Sequence, residues 1–198
     1  MVEIKRFSKD ALDEILESIK CIYPKKIFKN CDDEVIDRLF QICIRERHYS
    51  VFTHSCITVQ FNCSLKTVLE ICNNCKLHIT VKTNSHDSEF EFITPPKVKS
   101  DEINSIFINY IKYVNRVVKQ ISELDDKLDL TYLLPGCTKT QVLITSNFLE
   151  WAKFIKMALF SKNESELKDI CTVLLDKLKE ICPQFFNKTI LKMKFEEE

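Results

Sequence analysis

The feature that most constrains the fold is an apolar repeat between Ile103 and Ile121. Apolar side chains recur there at spacings of three and four residues over about five turns, which is the period of one helix face. The repeat predicts a long amphipathic helix with one extended apolar face. Its apolar positions are Ile103, Ile106, Phe107, Tyr110, Ile111, Val114, Val117, Val118 and Ile121.

Strand and helix patterns both occur in the rest of the chain. Strands are predicted over residues 2–7, 56–63, 77–83 and 140–146, which are alternating or β-rich. Helices are predicted after Ser8 and after Asp32, and over residues 64–75, 147–160 and 164–182, before Pro183. Inward positions of the second and third helices are Val35, Ile36, Leu39, Phe40, Cys43, Val68, Leu69 and Cys72. We predict a single α+β domain over residues 1–198, with a mixed sheet and long amphipathic helices.

The composition excludes several classes of function. Gly136 is the only glycine, so the chain has neither a P-loop nor the glycine-rich dinucleotide fingerprint. The 29 acidic and 29 basic residues cancel, so no global basic field favours nucleic acid or an anionic membrane. No apolar run approaches the roughly 20 residues of a membrane helix, and the amino terminus does not resemble a secretion signal. We expect a cytoplasmic protein whose ten cysteines are reduced, several of them buried on apolar helix faces.

A short cysteine-rich stretch raises the question of a metal site. Cys72, Cys75 and His78 have a C-x-x-C-x-x-H spacing, and Cys63 could supply a fourth ligand for tetrahedral zinc. Zinc sites usually pair two such knuckles through tight turns, and this stretch has no second pair and no glycine. We therefore predict a cysteine-bearing helix end and no metal.

A polar cluster lies between the second helix and the next strand. His48, Ser50 and His54 fall within seven residues in RHYSVFTHS. Polar side chains at such a connection can line a ligand pocket, and they can equally serve hydrogen bonding within a loop. Composition leaves both interpretations open, and it pairs no particular cysteine with a histidine as a nucleophile.

The cluster and the strand after it carry a resemblance to a known family. RHYSVFTHSCITVQF resembles the G-H-x-S-x-x-E-H motif of the flavin-dependent thymidylate synthases, with His48, Ser50 and His54 matching. Arg47 stands where the family has glycine, and Thr53 where it has glutamate. YLLPGCTKTQVLITSNFLEWAKF and CPQFF are similar to later family segments, so the resemblance extends from about residue 1 to residue 186.

The arginines that this resemblance leads one to expect are absent. The family's R-H-R falls on Asn73, Asn74 and Cys75, its following serine on His78, and its S-x-R-Y on residues 83–86. Three further family arginines fall on Thr131, Leu149 and Ala158, and only Asn147 is kept from that half. Lysines near some of these positions, Lys76, Lys82, Lys153 and Lys162, return charge but not the planar bidentate fork of arginine.

The resemblance, with these losses, implies a protein that keeps the family's shape without its chemistry. We predict a catalytically inactive thymidylate synthase-like protein retained as a structural or protein-interaction component, forming homo-oligomers or hetero-oligomers, with no catalytic residue and no cofactor. Ser50, His54 and Asn147 are the vestigial cofactor-binding residues that the resemblance assigns.

Two alternatives remain open at this point. One is a divergent but active flavin-dependent thymidylate synthase, which would use FAD, methylenetetrahydrofolate and NADPH to convert dUMP to dTMP. The other is a non-catalytic nucleotide-binding module.

Overall fold

The computed structural model describes residues 2–24, 32–74, 77–83, 90–96, 100–125, 127–161 and 165–193. Every element predicted from the sequence has a counterpart there. The strands are β1 (Val2–Phe7), β2 (Cys56–Ser64), β3 (His78–Val81) and β4 (Lys139–Asn147). The helices are α1 (Ala11–Ile22), α2 (Asp33–Arg45), α3 (Leu65–Asn74), α4 (Asp101–Leu124), α5 (Phe148–Leu159), α6 (Glu166–Ile181) and α7 (Lys188–Lys192), with 3-10 helices at Tyr49–Phe52 and Leu130–Leu133.

The four strands form one sheet in the order β1-β2-β4-β3. All three neighbouring pairs are antiparallel, and the β2–β4 ladder runs without interruption from Cys56 opposite Asn147 to Ser64 opposite Lys139. The predicted α+β class is confirmed, but the mixed sheet is corrected to an antiparallel one in the described part of the chain. Strand direction is set by pairing between residues far apart in sequence, which local alternation does not encode.

One face of the sheet packs against the main hydrophobic core. Ile57, Val59 and Phe61 alternate along β2 and are buried, opposite the equally buried Val142 and Ile144 of β4. The indole N–H of Trp151, from α5, donates to the Ile57 carbonyl at 3.1 Å, which fixes that helix on the sheet. The alternation therefore predicted the buried face correctly.

A cluster of phenylalanines closes the core on the far side of the helices. Phe40 of α2, Phe52 of the first 3-10 helix and Phe148 of α5 all contact Phe185, with ring centroids 5.8, 4.8 and 5.6 Å from it. Phe186 contacts Phe148 at 5.2 Å. All five rings are buried, so residues close to the end of the described chain complete the core.

Side chains cap the starts of several helices, and one cap comes from a different helix. Asp32 accepts from the Val35 amide at 2.8 Å, as its predicted position before α2 requires. The carboxylate of Glu166, at the start of α6, accepts from the Ser64 amide at 3.0 Å and from the hydroxyls of Ser64 and Thr67 at 2.6 and 2.7 Å. This carboxylate joins the amino termini of α3 and α6, where a negative charge is stabilising.

Several predicted inward positions face solvent instead. Val35, Leu69 and Cys72 are exposed. In α3, Ile71 is buried, whereas the sequence predicted that its neighbour Cys72 would face inward. Helical periodicity locates an apolar face only to within one residue position, or about 100° of rotation. The helix predicted after Ser8 starts at Ala11, and its N-cap residue is Asp10.

The cysteines that the structure describes are either buried or exposed, except Cys137, which is partly buried. Cys43, Cys63, Cys171 and Cys182 are buried and form no disulfide, which confirms the predicted role for these four. Cys21, Cys56 and Cys72 are exposed free thiols, and Cys31 and Cys75 lie outside the described residues. Burial raises the pKa of Cys63 to about 12, with the Glu166 charge adding to the effect, and burial raises that of Cys182 to about 11.

The long helix α4 has its own small cluster, separate from the main core. Only Val114 and Val118 of its 24 residues are buried, and they pack with Phe90 and Leu130. Among the described residues, no helix combines the length and the apolar character needed to cross a membrane. The predicted helix is confirmed, and of its predicted apolar positions Ile103, Ile106 and Tyr110 are exposed in the part of the chain that the structure describes.

Candidate functional site

Two of the predicted site residues, His54 and Asn147, lie at one end of the sheet. Asn147 ends β4 and is the register partner of Cys56, the first residue of β2. His54 precedes Cys56 by two residues, and His78 begins β3 opposite Thr145 of β4. The start of β2, the end of β4 and the start of β3 therefore lie together. The fold brings His54 and Asn147 to one region of the sheet.

The connection that carries Ser50 and His54 is fixed by buried apolar side chains and by hydrogen bonds within its own turn. Its 3-10 helix buries Tyr49, Val51 and Phe52, while Ser50 and His54 are exposed. The Thr53 amide and hydroxyl both donate to the Ser50 carbonyl, at 3.1 and 2.7 Å. Thr53, which stands where the resemblance expects glutamate, therefore stabilises the turn through these two hydrogen bonds. The loop displays two polar side chains outward from an apolar base.

Ser55, which sequence reasoning did not single out, ties this loop to α1. It is fully buried, and its hydroxyl lies 2.5 Å from a carboxylate oxygen of Glu14 and 3.2 Å from the Ala11 carbonyl. Glu14 and Ser55 are 41 residues apart, so only the tertiary fold brings them together. The contact fixes the backbone next to His54.

Asn147 is engaged as a helix cap. Its side-chain oxygen accepts from the Glu150 amide at 2.9 Å at the start of α5. The Glu150 carboxylate pairs with Lys153 at 2.8 Å, and the Lys153 ammonium lies 6.0 Å from the centre of the Tyr49 ring. The one family residue kept in this half of the chain therefore has a structural function, whatever else it does.

Arg47, just before the polar cluster, has a left-handed backbone with φ of 59°. The Arg47 amide donates to the Ile44 carbonyl at 3.2 Å, and the His48 amide donates to the Cys43 carbonyl at 2.8 Å. This pair of bonds is the Schellman motif, whose left-handed position is usually glycine. The glycine that the resemblance expects here has a conformational reason, and the chain keeps the turn without it.

The positions where the resemblance expects arginine are either buried in the core or exposed to solvent in the described part of the chain. Leu149 and Ala158 are buried in the main core. Thr131 is exposed and donates to the Asp129 carboxylate at 2.7 Å. Asn73 is exposed at the end of α3, whereas Cys75 and residues 84–86 lie outside the described residues.

The structure separates the residues of the alternative zinc site. Cys63 is opposite Thr140 on β4, whereas His78 is opposite Thr145. Five residues of strand separate these positions by about 17 Å, so Cys63 and His78 cannot share a metal ion. Within the described ranges, no three His, Cys, Asp or Glu side chains are grouped so as to hold one.

The outward face of the sheet adds polar groups next to the cluster. The Thr58 and Thr145 hydroxyls are 2.9 Å apart across β2 and β4, and Thr145 is also the register partner of His78 on β3. Alternation predicts that these threonines point away from the core, but not that they border the site. The region is thus a set of hydroxyl, imidazole and amide groups around a capped helix start.

Comparison with known proteins identifies proteins of similar sequence. A family model described as "Thymidylate synthase complementing protein" matches residues 4–184. A flavin-dependent thymidylate synthase of Sulfurisphaera tokodaii is 23% identical over 167 residues, covering 80% of this chain and 63% of that protein. The enzyme of the same name from Corynebacterium efficiens is 25% identical over 119 residues, covering 51% and 47%. The chain therefore spans less than two thirds of the length of these relatives.

Solved structures show the same fold. A crystal structure of thymidylate synthase X from Helicobacter pylori with FAD and dUMP superposes with a TM-score of 0.77 at 17% identity, covering 98% of this chain and 100% of that one. A second structure of that protein complexed with FAD and dUMP gives 0.74 at 18% identity, covering 96% and 99%. The architecture is shared along almost the whole of both chains.

Proposed function

The chain belongs to the thymidylate synthase complementing protein family, and from that premise we propose that it is a catalytically inactive member retained as a structural or protein-interaction component. The observation that carries the proposal is the burial of Leu149 and Ala158, where the resemblance expects ligand-binding arginines. An apolar side chain inside the core offers nothing to a phosphate or a uracil. Residues at these two positions support the packing of the core and do not provide groups that bind a ligand.

The charges at the sheet end also disfavour a phosphate. A free helix amino terminus attracts anions through its unpaired amides. At the start of α5, the Glu150 amide is instead bound by the Asn147 side chain. The Glu150 carboxylate is also there, and it is paired with Lys153. A phosphate placed there meets a negative charge and a lysine already in an ion pair. These residues do not fit the diphosphate of FAD, so we derive no step through a flavin.

The free energy of the missing arginine–phosphate contacts supports the same conclusion. A hydrogen bond between an arginine and a phosphate contributes about 1.5–3 kcal/mol, so the loss of four or five costs on the order of 6 kcal/mol or more. That free energy corresponds to a loss in affinity of more than about 10⁴-fold. Lysines return part of this as point charges, without the two parallel bonds that orient a planar ligand.

One observation favours a second candidate, a divergent active enzyme. His54 and Asn147 lie at one end of the sheet, and the connection that carries Ser50 and His54 is fixed by the contact between Ser55 and Glu14. If these groups hold FAD against dUMP, the protein makes dTMP with methylenetetrahydrofolate and NADPH. A non-catalytic nucleotide-binding module would use the same groups without turnover.

The test is purification of the chain without added cofactor, followed by binding and turnover measurements. We expect colourless protein, no change in FAD absorbance or fluorescence on mixing, and no dTMP from dUMP, methylenetetrahydrofolate, NADPH and FAD. The Helicobacter pylori protein, assayed in parallel, is the positive control. Yellow protein that forms dTMP would overturn the proposal in favour of the active enzyme.

A nucleotide screen by thermal shift separates the remaining alternative. The proposal predicts no shift with dUMP or other nucleotides. A shift that His54→Ala abolishes, without turnover, would instead establish the nucleotide-binding module at this site.

A further inference from the structure

The two edges of the sheet, β1 and β3, differ in how they are protected from pairing with other chains. The register of β1 with β2 shifts between Ile4 and Arg6, so that Lys5 bulges out of the ladder. A bulge and a charged side chain are common means by which an edge strand avoids pairing with another chain. The pairing of β3 with β4 is regular over all four of its residues, and none of them is proline or lysine. The edge of β3 therefore lacks the protection that β1 has.

The register of β3 shows which of its backbone groups point away from the sheet. The Lys82 amide donates to the Gln141 carbonyl of β4 at 2.8 Å. In an antiparallel pair, residues that bond to the neighbouring strand alternate with residues that do not. Lys82 and Thr80 therefore bond to β4, whereas the N–H and C=O groups of Ile79 and Val81 point outward. In the described part of the chain, no backbone group pairs with these outward groups.

The side chains along this edge differ between the two faces of the sheet. Ile79 and Val81 pack against the main core and are only partly buried. His78, Thr80 and Lys82 alternate with them, point to the opposite face and are exposed. A strand added at this edge would place apolar side chains beside the core on one face and polar side chains beside Lys82 on the other.

We propose that the edge of β3 binds an extended segment of another protein, as a fifth strand antiparallel to β3. The segment has apolar residues opposite Ile79 and Val81 and acidic residues opposite His78 and Lys82. Backbone hydrogen bonds to the outward groups hold the segment, and its alternating side chains select it. This inference gives the chemistry of the partner for the proposed interaction role and rests on that role.

The charges near the edge favour an acidic partner over a second copy of this chain. Lys139 is paired with Glu91, so the additional lysine, Lys82, makes this part of the edge basic. Two copies of β3 could pair about a two-fold axis at Thr80, the register that uses both outward residues of each copy. Lys82 of one copy would then lie opposite His78 of the other, and both side chains are basic. A glutamate at these positions of a partner strand is instead attracted to them.

The first experiment measures amide hydrogen exchange in the full chain by NMR, residue by residue. Without a ligand, the Ile79 and Val81 amides are expected to exchange faster than the Thr80 and Lys82 amides, because only the latter bond to β4. The probe is the peptide acetyl-EVEVE-amide, in which glutamate alternates with valine. Its addition at millimolar concentration is expected to slow exchange at Ile79 and Val81 by roughly tenfold or more. Unchanged exchange at both amides would overturn the inference.

N-methylation of the peptide separates strand pairing from non-specific binding. In the proposed register the two valine amides of the peptide face β3, whereas the glutamate amides face solvent. N-methylation of the valines is expected to weaken binding roughly tenfold or more, and N-methylation of the glutamates to leave it within about threefold. Equal affinity of the two N-methylated peptides would overturn the inference. Binding of acetyl-KVKVK-amide as tightly as the acidic peptide would overturn the assignment of an acidic partner.

Two substitutions at Val81 test the same edge from the side of the protein. Val81→Pro removes an N–H that makes no bond to β4, and edge strands accept proline at such positions. It is expected to weaken binding of acetyl-EVEVE-amide roughly tenfold or more, whereas Val81→Ala keeps the N–H and should bind within about threefold of wild type. Circular dichroism checks that both variants are folded. If Val81→Pro is unfolded, the N-methylated peptides still decide the question with the wild-type chain.

Sedimentation velocity without peptide identifies an occupant of the wrong kind. Self-association of the wild type that Val81→Pro abolishes would show that the edge pairs with a second copy, and would overturn the inference. The peptide measurements are also distinguishable from the test of the proposed function. Flavin-dependent formation of dTMP would overturn that function and leave the exchange at Ile79 and Val81 unchanged. A protein that binds neither FAD nor the peptide would overturn this inference alone.

Discussion

The amide of His48 donates to the carbonyl of Cys43 at 2.8 Å, and the bond closes α2 through the left-handed backbone of Arg47. A side chain at this φ places its Cβ against the following carbonyl, at a cost of about 1–2 kcal/mol that glycine does not incur. The turn before the polar cluster is thus formed against the preference of the residue that occupies it.

Replacing Arg47 with glycine is therefore expected to stabilise the protein. Arg47→Gly should raise the free energy of unfolding by about 1 kcal/mol, measured by urea denaturation. Glu46→Gly is the control, because φ at Glu46 is −83° and glycine there only adds freedom to the unfolded chain. An Arg47→Gly protein less stable than wild type would contradict the strain argument.

The cap at the start of α5 predicts a stability effect for Asn147. Asn147→Ala removes the oxygen that binds the Glu150 amide and should cost about 1 kcal/mol in thermal or urea unfolding. Asn147→Asp keeps an acceptor and should retain most of that stability. Equal losses in both variants would show that the amide group, and not the cap, is what matters.

Restoring an arginine should damage the fold without restoring a ligand site. Leu149 is 4% exposed, so Leu149→Arg places an unpaired charge in the core and should cost more than about 3 kcal/mol. Leu149→Met keeps the volume and should cost less than about 1.5 kcal/mol. A Leu149→Arg protein with wild-type stability and new FAD binding would mean that the position borders a cleft.

The buried thiols predict a loss of stability at alkaline pH. Folding favours the neutral form of Cys63, since burial raises its pKa from 9.0 to about 12. Its contribution is complete below pH 9 and declines as the pH rises toward 12, because the unfolded chain releases this proton first. Urea midpoints at pH 8 and pH 10.5 should differ less in Cys63→Ala than in wild type. An equal difference in both would contradict the assignment.

Thiol labelling gives an independent check on the same cysteines. Under native conditions, Ellman's reagent should react quickly with Cys21, Cys56 and Cys72, which are exposed. The four buried thiols should react only at the rate of unfolding. Mass spectrometry of the labelled peptides identifies the sites, and rapid native labelling of Cys63 would show that its environment is open.

The fold could be predicted from the sequence where one local pattern decides the structure. Alternation at Ile57, Val59 and Phe61 gave β2 and its buried face, and Asp32 gave the start of α2. Local patterns did not give strand direction. Nor did they show that Leu69 faces water, since an apolar position at the edge of a helix face is resolved only by what packs there.

The candidate site was predictable only in part, for a related reason. The resemblance singled out His54 and Asn147 as residues of one site, and the register of β2 with β4 shows that they lie at the same end of the sheet. The Ser55–Glu14 contact and the left-handed turn at Arg47 depend on distant packing and on backbone geometry, neither of which leaves a motif. The division of α4 into a covered and an uncovered stripe likewise required the positions of Phe90 and Leu130.

The position of Phe185 and Phe186 in the aromatic cluster has a consequence for synthesis in the cell. These rings fill the space between α2, the first 3-10 helix and α5, and Ile190 is buried soon after them. While this segment is still inside the ribosome, the core of the nascent chain is incomplete. This holds even if the helices before it have already formed. Folding must therefore finish after translation has passed residue 190, and premature termination before Phe185 would yield a product that exposes the cluster and is a substrate for degradation.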